Sequence, residues 1–266
     1  MAHSLSNRKF QIVASAVYAT LLSMTAGAQV QSPALPPANS VKTPVLLELF
    51  TSEGCNSCPP ANELLLDLIK KQPIAGIEMI CISEHVDYWN HLGWTDRFSS
   101  RVYSQRQEGY ASRMGVSEVY TPQIVVDGES QVLGSDRTAV LSAVRKAAAS
   151  PKLELSISNV KQADGVVTAS IALSASGSAA DLDLYAALTD DEDRSLVTGG
   201  ENSGQSLRSA GVSRVVKGYG RVPAGGQASI TIGPILPSTR QKTHLLVWCQ
   251  SPNQGAVRAI AYLALQ

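Results

Sequence analysis

The chain carries no excess charge of either sign. Its 22 basic residues stand against 22 acidic ones, so no long-range field draws it toward nucleic acid or an anionic membrane. It has no glycine-rich phosphate loop and no dinucleotide-binding fingerprint, which argues against a built-in nucleotide, and no cofactor is expected. Beyond residue 28 it has no uninterrupted apolar run of bilayer length. Internal repeats are absent. Cysteine is scarce, and of the four cysteines only Cys55 and Cys58 stand close together. A zinc site built on that pair would need two more ligands; Cys81 and Cys249 form no second pair, and His85, His91 and His244 are scattered, so no metal is expected.

What is present suffices for two ordinary domains, because 266 residues with 44% hydrophobic and 17% charged side chains can bury a core in each. Arg8 and Lys9 precede an apolar stretch over 10–28 that closes in Ala26-Gly27-Ala28, the layout of a secretory signal cut after Ala28. The alternative is a single membrane anchor, against which Ser15, Thr20, Ser23 and Thr25 interrupt the run. Residues 1–28 are therefore read as a signal peptide and 29–42, rich in Pro, Ser, Ala and Asn, as a flexible leader. The remainder is expected to be exported, periplasmic or secreted, without a membrane segment, in a compartment that permits disulfides.

Order is expected from about Thr43. The apolar run 45–50 reads as a central strand and leads into Thr51-Ser52-Glu53-Gly54-Cys55. Leu64, Leu65, Leu68 and Ile69 recur at helical spacing, with Pro59 and Pro60 in the first turn, where a missing N–H leaves nothing unpaired. Residues 77–82 read as a second strand, parallel to the first because a helix lies between them. Residues 87–114 read as mostly helical with an irregular start near Gly93. A strand over 123–126 turns at Asp127-Gly128 toward 131–134, and Ser135-Asp136 is placed to cap a last helix ending near Ala149. At Pro151 the period changes to two: Leu153, Leu155 and Ile157; Val167 to Leu173; Leu182 to Leu188; Ile230 and Ile232; Leu245, Val247 and Cys249. The expected fold class is an α/β domain over 43–150, a mixed sheet flanked by helices, followed over 151–266 by an all-β antiparallel sandwich-like domain.

The chemistry centres on Cys55 and Cys58. A strand hands over to a helix there, which puts the first sulfur at the helix N-terminus and the second about one turn in, where unpaired N–H groups favour thiolate. Cys55 is assigned as the attacking sulfur and Cys58 as the resolving one. A purely structural disulfide would use the same two residues. Cys81 and Cys249 lie in apolar strand-like runs and read as small buried hydrophobes, with a bridge between them left open. Thr121-Pro122 stands just before a strand; a cis bond would turn the preceding peptide groups toward the neighbouring loop, whereas a trans proline would simply start an edge strand. His85-Val86-Asp87-Tyr88-Trp89 follows a strand end, where open α/β sheets bind ligands. His85, Asp87 and Tyr88 are candidate groove residues, proton donor or stacking surface, with Trp89 structural; a packed aromatic loop is the alternative.

A strand ending in Cys-x-x-Cys at a helix start, followed by Thr-Pro before a later strand, resembles the thioredoxin superfamily. Residues 47–61, 85–89, Gly93-Trp94, 119–123 and 126–128 are similar in detail to the DUF1223 family of secreted bacterial proteins, and 200–207 and 250–257 more weakly so. The Cys55–Cys58 pair points to exchange with a redox partner protein or a small thiol; the resemblance implies a thioredoxin-like fold with a C-terminal β extension and a cis Thr121-Pro122 bond. It implies no established reaction. This chain has Gly54 where thioredoxins carry Trp, and Asn56-Ser57 where they carry Gly-Pro. Glu53 adds a negative charge that opposes thiolate formation at Cys55.

Overall fold

The computed structural model describes residues 42–175, 181–235 and 242–265. The expected signal segment, and the leader up to residue 41, lie outside them. Strand β1 (Thr43–Thr51) is buried on both faces, as its largely apolar run requires, with Glu48 inside it paired to Arg106 at 2.6 Å. Helix α1 (Pro59–Lys71) crosses back to β2 (Ile77–His85), which pairs in parallel with β1 from Thr43↔Ile77 to Thr51↔His85. The helix opens on Pro59 and Pro60, carries Lys70 and Lys71 in its last turn, and ends at Gln72 in the left-handed region. The Gln72 side chain accepts from Met79 N–H at 2.8 Å and donates to its carbonyl at 3.0 Å, pinning the helix end to β2.

Helix α2 (Arg101–Met114) begins later than the composition suggests. Residues 87–100 are irregular apart from a 3-10 turn at Asn90–Leu92, because Gly93 takes φ 91° and the helix waits for Ser100, whose side chain accepts from Val102 N–H. Strands β3 (Gln123–Val126) and β4 (Ser130–Leu133) form the expected hairpin, turning through Asp127 at φ 49° and Gly128 at φ 68°. Helix α3 (Arg137–Ala147) is capped by Asp136, which accepts from Ala139 N–H at 3.0 Å.

After residue 151 come β5 (Leu155–Ala163), β6 (Val166–Leu173), β7 (Leu182–Leu196), β8 (Ser206–Val222), β9 (Gln227–Ile232), β10 (Thr243–Gln250) and β11 (Val257–Ala264). They correct the expected fold class. Instead of a helix-flanked thioredoxin-like sheet and a separate sandwich, one mixed sheet of eight strands runs β11-β10-β7-β8-β2-β1-β3-β4, joined where Ser83 of β2 meets Val212 of β8 in parallel. Only β5, β6 and β9 form a second, small sheet. Three helices among the described residues are too few to cover so much strand surface, so the sheet covers part of itself.

The core reflects this arrangement. Leu47, Leu49 and Ile124 pack under Leu64, Leu65 and Leu68 of α1 and Val140 and Val144 of α3. Each fully buried leucine there contributes roughly 1.5–3 kcal/mol. On the opposite face Leu46, Ile80 and Ile82 meet Leu246, Trp248, Val257 and Ile260 from β10 and β11, in place of a second helical layer. The small sheet closes a third cluster against β7 and β10 through Val167, Ile171, Leu184 and Val247. Cys81 and Cys249 lie in different clusters, buried and unbridged; burial raises the Cys81 thiol and pushes Cys249 up to about 12, so neither is a ready nucleophile. Among the described residues no helix is long and apolar enough to cross a membrane.

Candidate functional site

Cys55 and Cys58 are joined in a disulfide with Cα atoms 5.5 Å apart. Two successive turns deliver them: Cys55 N–H donates to the Ser52 carbonyl at 3.3 Å, and Cys58 N–H to the Cys55 carbonyl at 3.2 Å. The helix therefore starts one step later than the spacing suggests. Cys58, not Cys55, is the residue flanking its N-terminus, because the prolines that follow occupy the first two helical positions. The partial positive charge of the helix end falls on the second sulfur, and Cys55 precedes it by a turn.

Thr121-Pro122 is cis, and the Thr121 carbonyl oxygen lies 4.0 Å from Cys55 Sγ. Pro122 is buried beside the start of β3. Ser57 Oγ stands 3.3 Å from the same sulfur. Cys55, Cys58, Thr121 and Pro122 are thus gathered in one place. Both cysteines are 0% exposed, while Asn56 and Ser57 between them face solvent.

The His85 segment is divided. His85 is buried and donates from Nδ1 to Asp96 Oδ2 at 2.6 Å; the same oxygen accepts Glu53 N–H at 2.8 Å, which ties the pair to the cysteine loop. Burial on its own would lower the His85 pKa, but the Asp96 carboxylate, with Glu53 behind it, holds it above the ordinary imidazole range. Burial would likewise raise Asp96, and the His85 charge and hydrogen bond hold it below the usual carboxylate range. Asp87 and Tyr88 turn instead to α2. Asp87 accepts from Ser104 Oγ at 2.5 Å, and Tyr88 donates to Gln107 Oε1 at 3.1 Å. Trp89 donates from Nε1 to Thr121 Oγ1 at 2.8 Å, bracing the proline loop.

Glu53 has a different part from the simple negative neighbour expected. It is 2% exposed, and burial, then the charge of Asp96, raises its pKa; Trp94 Nε1 donates to its Oε2 at 2.8 Å. Asp96 played no part in the sequence expectation, and Trp94 entered it only as part of the Gly93-Trp94 motif, with no role. Asn202, which entered only within the weaker 200–207 resemblance, lies in the tip between β7 and β8, and its Nδ2 donates to the carbonyls of Glu53 and Cys55, both at 2.9 Å. The glycines at 199, 200 and 204 add a second signal for its place, since they mark a tight loop with a polar residue inside it. Among the described residues, no group of three or more His, Cys, Asp or Glu side chains is placed to hold a metal ion.

These features define a protein of one large mixed sheet with a small second one, carrying a buried Cys-x-x-Cys disulfide at a strand-to-helix junction beside a cis proline. The chain belongs to the DUF1223 family, described as protein of unknown function, whose model matches residues 46–250. It is similar to a crystal structure of a protein from Agrobacterium tumefaciens at 27% identity, with a TM-score of 0.63 over 85% of this chain and 96% of that one. Two beta-glucosidase structures from Kluyveromyces marxianus align at 12% identity and a TM-score of 0.21, over 44% of this chain and 14% of theirs, a likeness too slight to carry an argument. No curated protein matches.

Proposed function

We propose that the chain is an exported thiol–disulfide exchange protein in which Cys55 is the sulfur that meets the partner and Cys58 the one that resolves. The observation that carries this reading is that the two sulfurs of one disulfide have different neighbours, the Thr121 carbonyl of the cis-proline loop lying 4.0 Å from Cys55 Sγ while Cys58 stands at the start of α1. An incoming thiolate attacks Cys55 Sγ, the bond to Cys58 breaks, and Cys58 leaves as a thiolate favoured by the helix end. A second thiolate of the partner then attacks the partner sulfur of the mixed disulfide, and Cys55 leaves. Two electrons and two protons pass from a dithiol to the Cys55–Cys58 pair, and the partner leaves with a disulfide. The reverse sequence oxidises the pair. Export rests on the basic and apolar layout of residues 8–28.

The size of the ring supports an exchanging bond over a staple. A bridge that closes a separation of three residues constrains the unfolded chain by only about 2 kcal/mol. Burial of both cysteines favours a second reading, an exported binding protein with an inert disulfide. Equilibration in glutathione buffers of graded potential, with mass analysis after alkylation, separates the two. An exchange protein titrates within the glutathione range, and its Cys58→Ser variant traps a mixed disulfide at Cys55. A pair that stays oxidised far below that range and traps nothing supports the inert bridge.

A further inference from the structure

The tip that joins β7 to β8 lies over the cysteine loop, although 147 residues of sequence separate Asn202 from Cys55. It is an ordered unit. Val197 N–H donates to the Gln205 carbonyl at 2.9 Å and Gly204 N–H to the Val197 carbonyl at 2.8 Å, which closes the loop on itself. Asn202 is 1% exposed and spends both amide hydrogens on the Glu53 and Cys55 carbonyls, while Glu201 Oε2 accepts from Asn56 N–H at 3.1 Å. The tip thus grips the peptide before Gly54 and, at both its carbonyl and its N–H, the peptide after Cys55.

A second contact seats the tip against the wall at 93–94. A Cβ at Gly199 would lie 2.3 Å from the Gly93 carbonyl oxygen, and one at Gly200, which has φ +67°, would lie 3.2 Å from Trp94 Cβ. Backbone meets backbone there with no room for a side chain. Further out, the arms of the hairpin are held by the Ser83↔Val212 bridge to β2 and by partly exposed ion pairs: Arg97 with Asp193 at 2.7 Å, Arg208 with Glu63 at 3.3 Å and Lys70 with Glu192 at 3.3 Å. Such pairs hold weakly and yield to salt.

We infer that Asn202 is a positioning residue for the Cys55–Cys58 pair, and that the 197–205 tip carrying it is a hinged cover that must lift before a thiol can reach Cys55 Sγ. The inference deepens the exchange function proposed above and rests on it for its biological purpose. Its physical content, that the cover controls access to the disulfide, stands on the tip's bonds to the backbone around Cys55 together with the complete burial of both sulfur-bearing residues. Lifting exchanges the two Asn202 hydrogen bonds, the Glu201–Asn56 bond and the seats of Gly199 and Gly200 for water, a local event outside the main apolar clusters. In a cover of this kind the reagent-accessible state is a minor one, and anything that weakens the seat raises its population.

The test is the rate at which a phosphine reductant opens the Cys55–Cys58 bond in the full chain, followed by acid quench, alkylation and mass analysis. Three proteins are compared: wild type, Gly199→Ala, which drives a methyl into the Gly93 carbonyl, and Asn202→Asp, nearly isosteric but unable to donate. Each variant should be reduced faster than wild type by about tenfold or more, the equivalent of one lost hydrogen bond. The wild-type rate should be independent of urea below the unfolding transition and should rise with salt. A variant rate equal to that of wild type, or a wild-type rate that climbs with urea as global unfolding does, overturns the cover. Faster reduction in both variants together with no mixed disulfide in Cys58→Ser keeps the cover and removes the exchange function. Unchanged rates with a trapped mixed disulfide do the reverse.

Discussion

Trp89 Nε1 donates to Thr121 Oγ1 at 2.8 Å, so the loop that follows β2 is fastened to the residue before the cis proline. Both side chains are half-buried. Thr121→Val keeps the shape of the side chain and removes the acceptor, leaving an indole N–H without a partner. Its stability should fall by about 1–2 kcal/mol. Urea denaturation followed by tryptophan emission reads this directly, and Trp89→Phe combined with Thr121→Val should lose less than the sum of the two single changes.

The disulfide itself should contribute little to stability. By loop closure, a ring this short is worth about 2 kcal/mol, with strain and residual structure able to shift that value either way. Comparing oxidised wild type with Cys55→Ala/Cys58→Ala by urea unfolding checks the figure. A loss several times larger would mean that the bridge holds the cis-proline loop and α1 together, which is the inert-staple reading.

Much of the fold is legible because strand and helix periods are local properties. The β1-α1-β2 crossover, the Asp127-Gly128 hairpin, the Asp136 cap and the alternating strands beyond Pro151 each follow from a few neighbouring residues. Strand partnership is not local. One parallel bridge, Ser83↔Val212, makes β8 a neighbour of β2 and merges into one sheet what hydrophobic period alone reads as two layers. The site divides in the same way. Cys55, Cys58 and Thr121-Pro122 are marked by short motifs. The partner of His85 is Asp96, not the nearer Asp87, because the irregular segment at 87–100 doubles back; Asn202 arrives from a hairpin tip whose position only the finished sheet determines.

Glu84 should make stability fall as pH rises. It is fully buried, its two carboxyl oxygens have no hydrogen-bond partner among the described residues, and Arg106 Nε is 3.6 Å away but engaged with Glu48 at 2.6 Å. Burial, reinforced by Glu48 and only partly offset by Arg106, pushes its pKa from 4.5 up to about 8. The unfolded chain releases this proton near the ordinary value and the folded chain holds it to about 8. The stabilisation is therefore full below about pH 4.5, declines by up to about 1.4 kcal/mol per pH unit above that, and is gone once pH passes the folded value. Glu84→Gln should remove that component, so that urea midpoints from pH 4.5 to 9 run flatter than in wild type and the variant is the more stable protein at pH 9. Parallel profiles would show that Glu84 keeps its charge in the fold.

Asp127 joins three parts of the sheet and should be among the least replaceable residues. Its Oδ1 accepts Leu46 N–H at 2.8 Å, its own N–H donates to the Leu46 carbonyl at 2.8 Å, and its carbonyl accepts Val257 N–H at 2.9 Å. Oδ2 accepts from Lys152 Nζ at 2.6 Å, with both side chains buried. Asp127→Ala leaves the Lys152 ammonium enclosed without a counter-charge and should cost about 3–5 kcal/mol. Lys152→Met exposes no such charge on the lysine side, but it leaves the Asp127 carboxylate, whose pKa burial already raises, with one partner fewer. The double variant Asp127→Ala/Lys152→Met removes both charges and keeps an apolar stem in place of the lysine. Its loss should be smaller than that of Asp127→Ala alone, measured as the shift in urea midpoint at constant slope. A double variant that loses the full sum of the two single changes would mean that Asp127 acts only through its backbone and Leu46 contacts, and that the buried ion pair adds nothing to holding β1, the β3–β4 turn and β11 together.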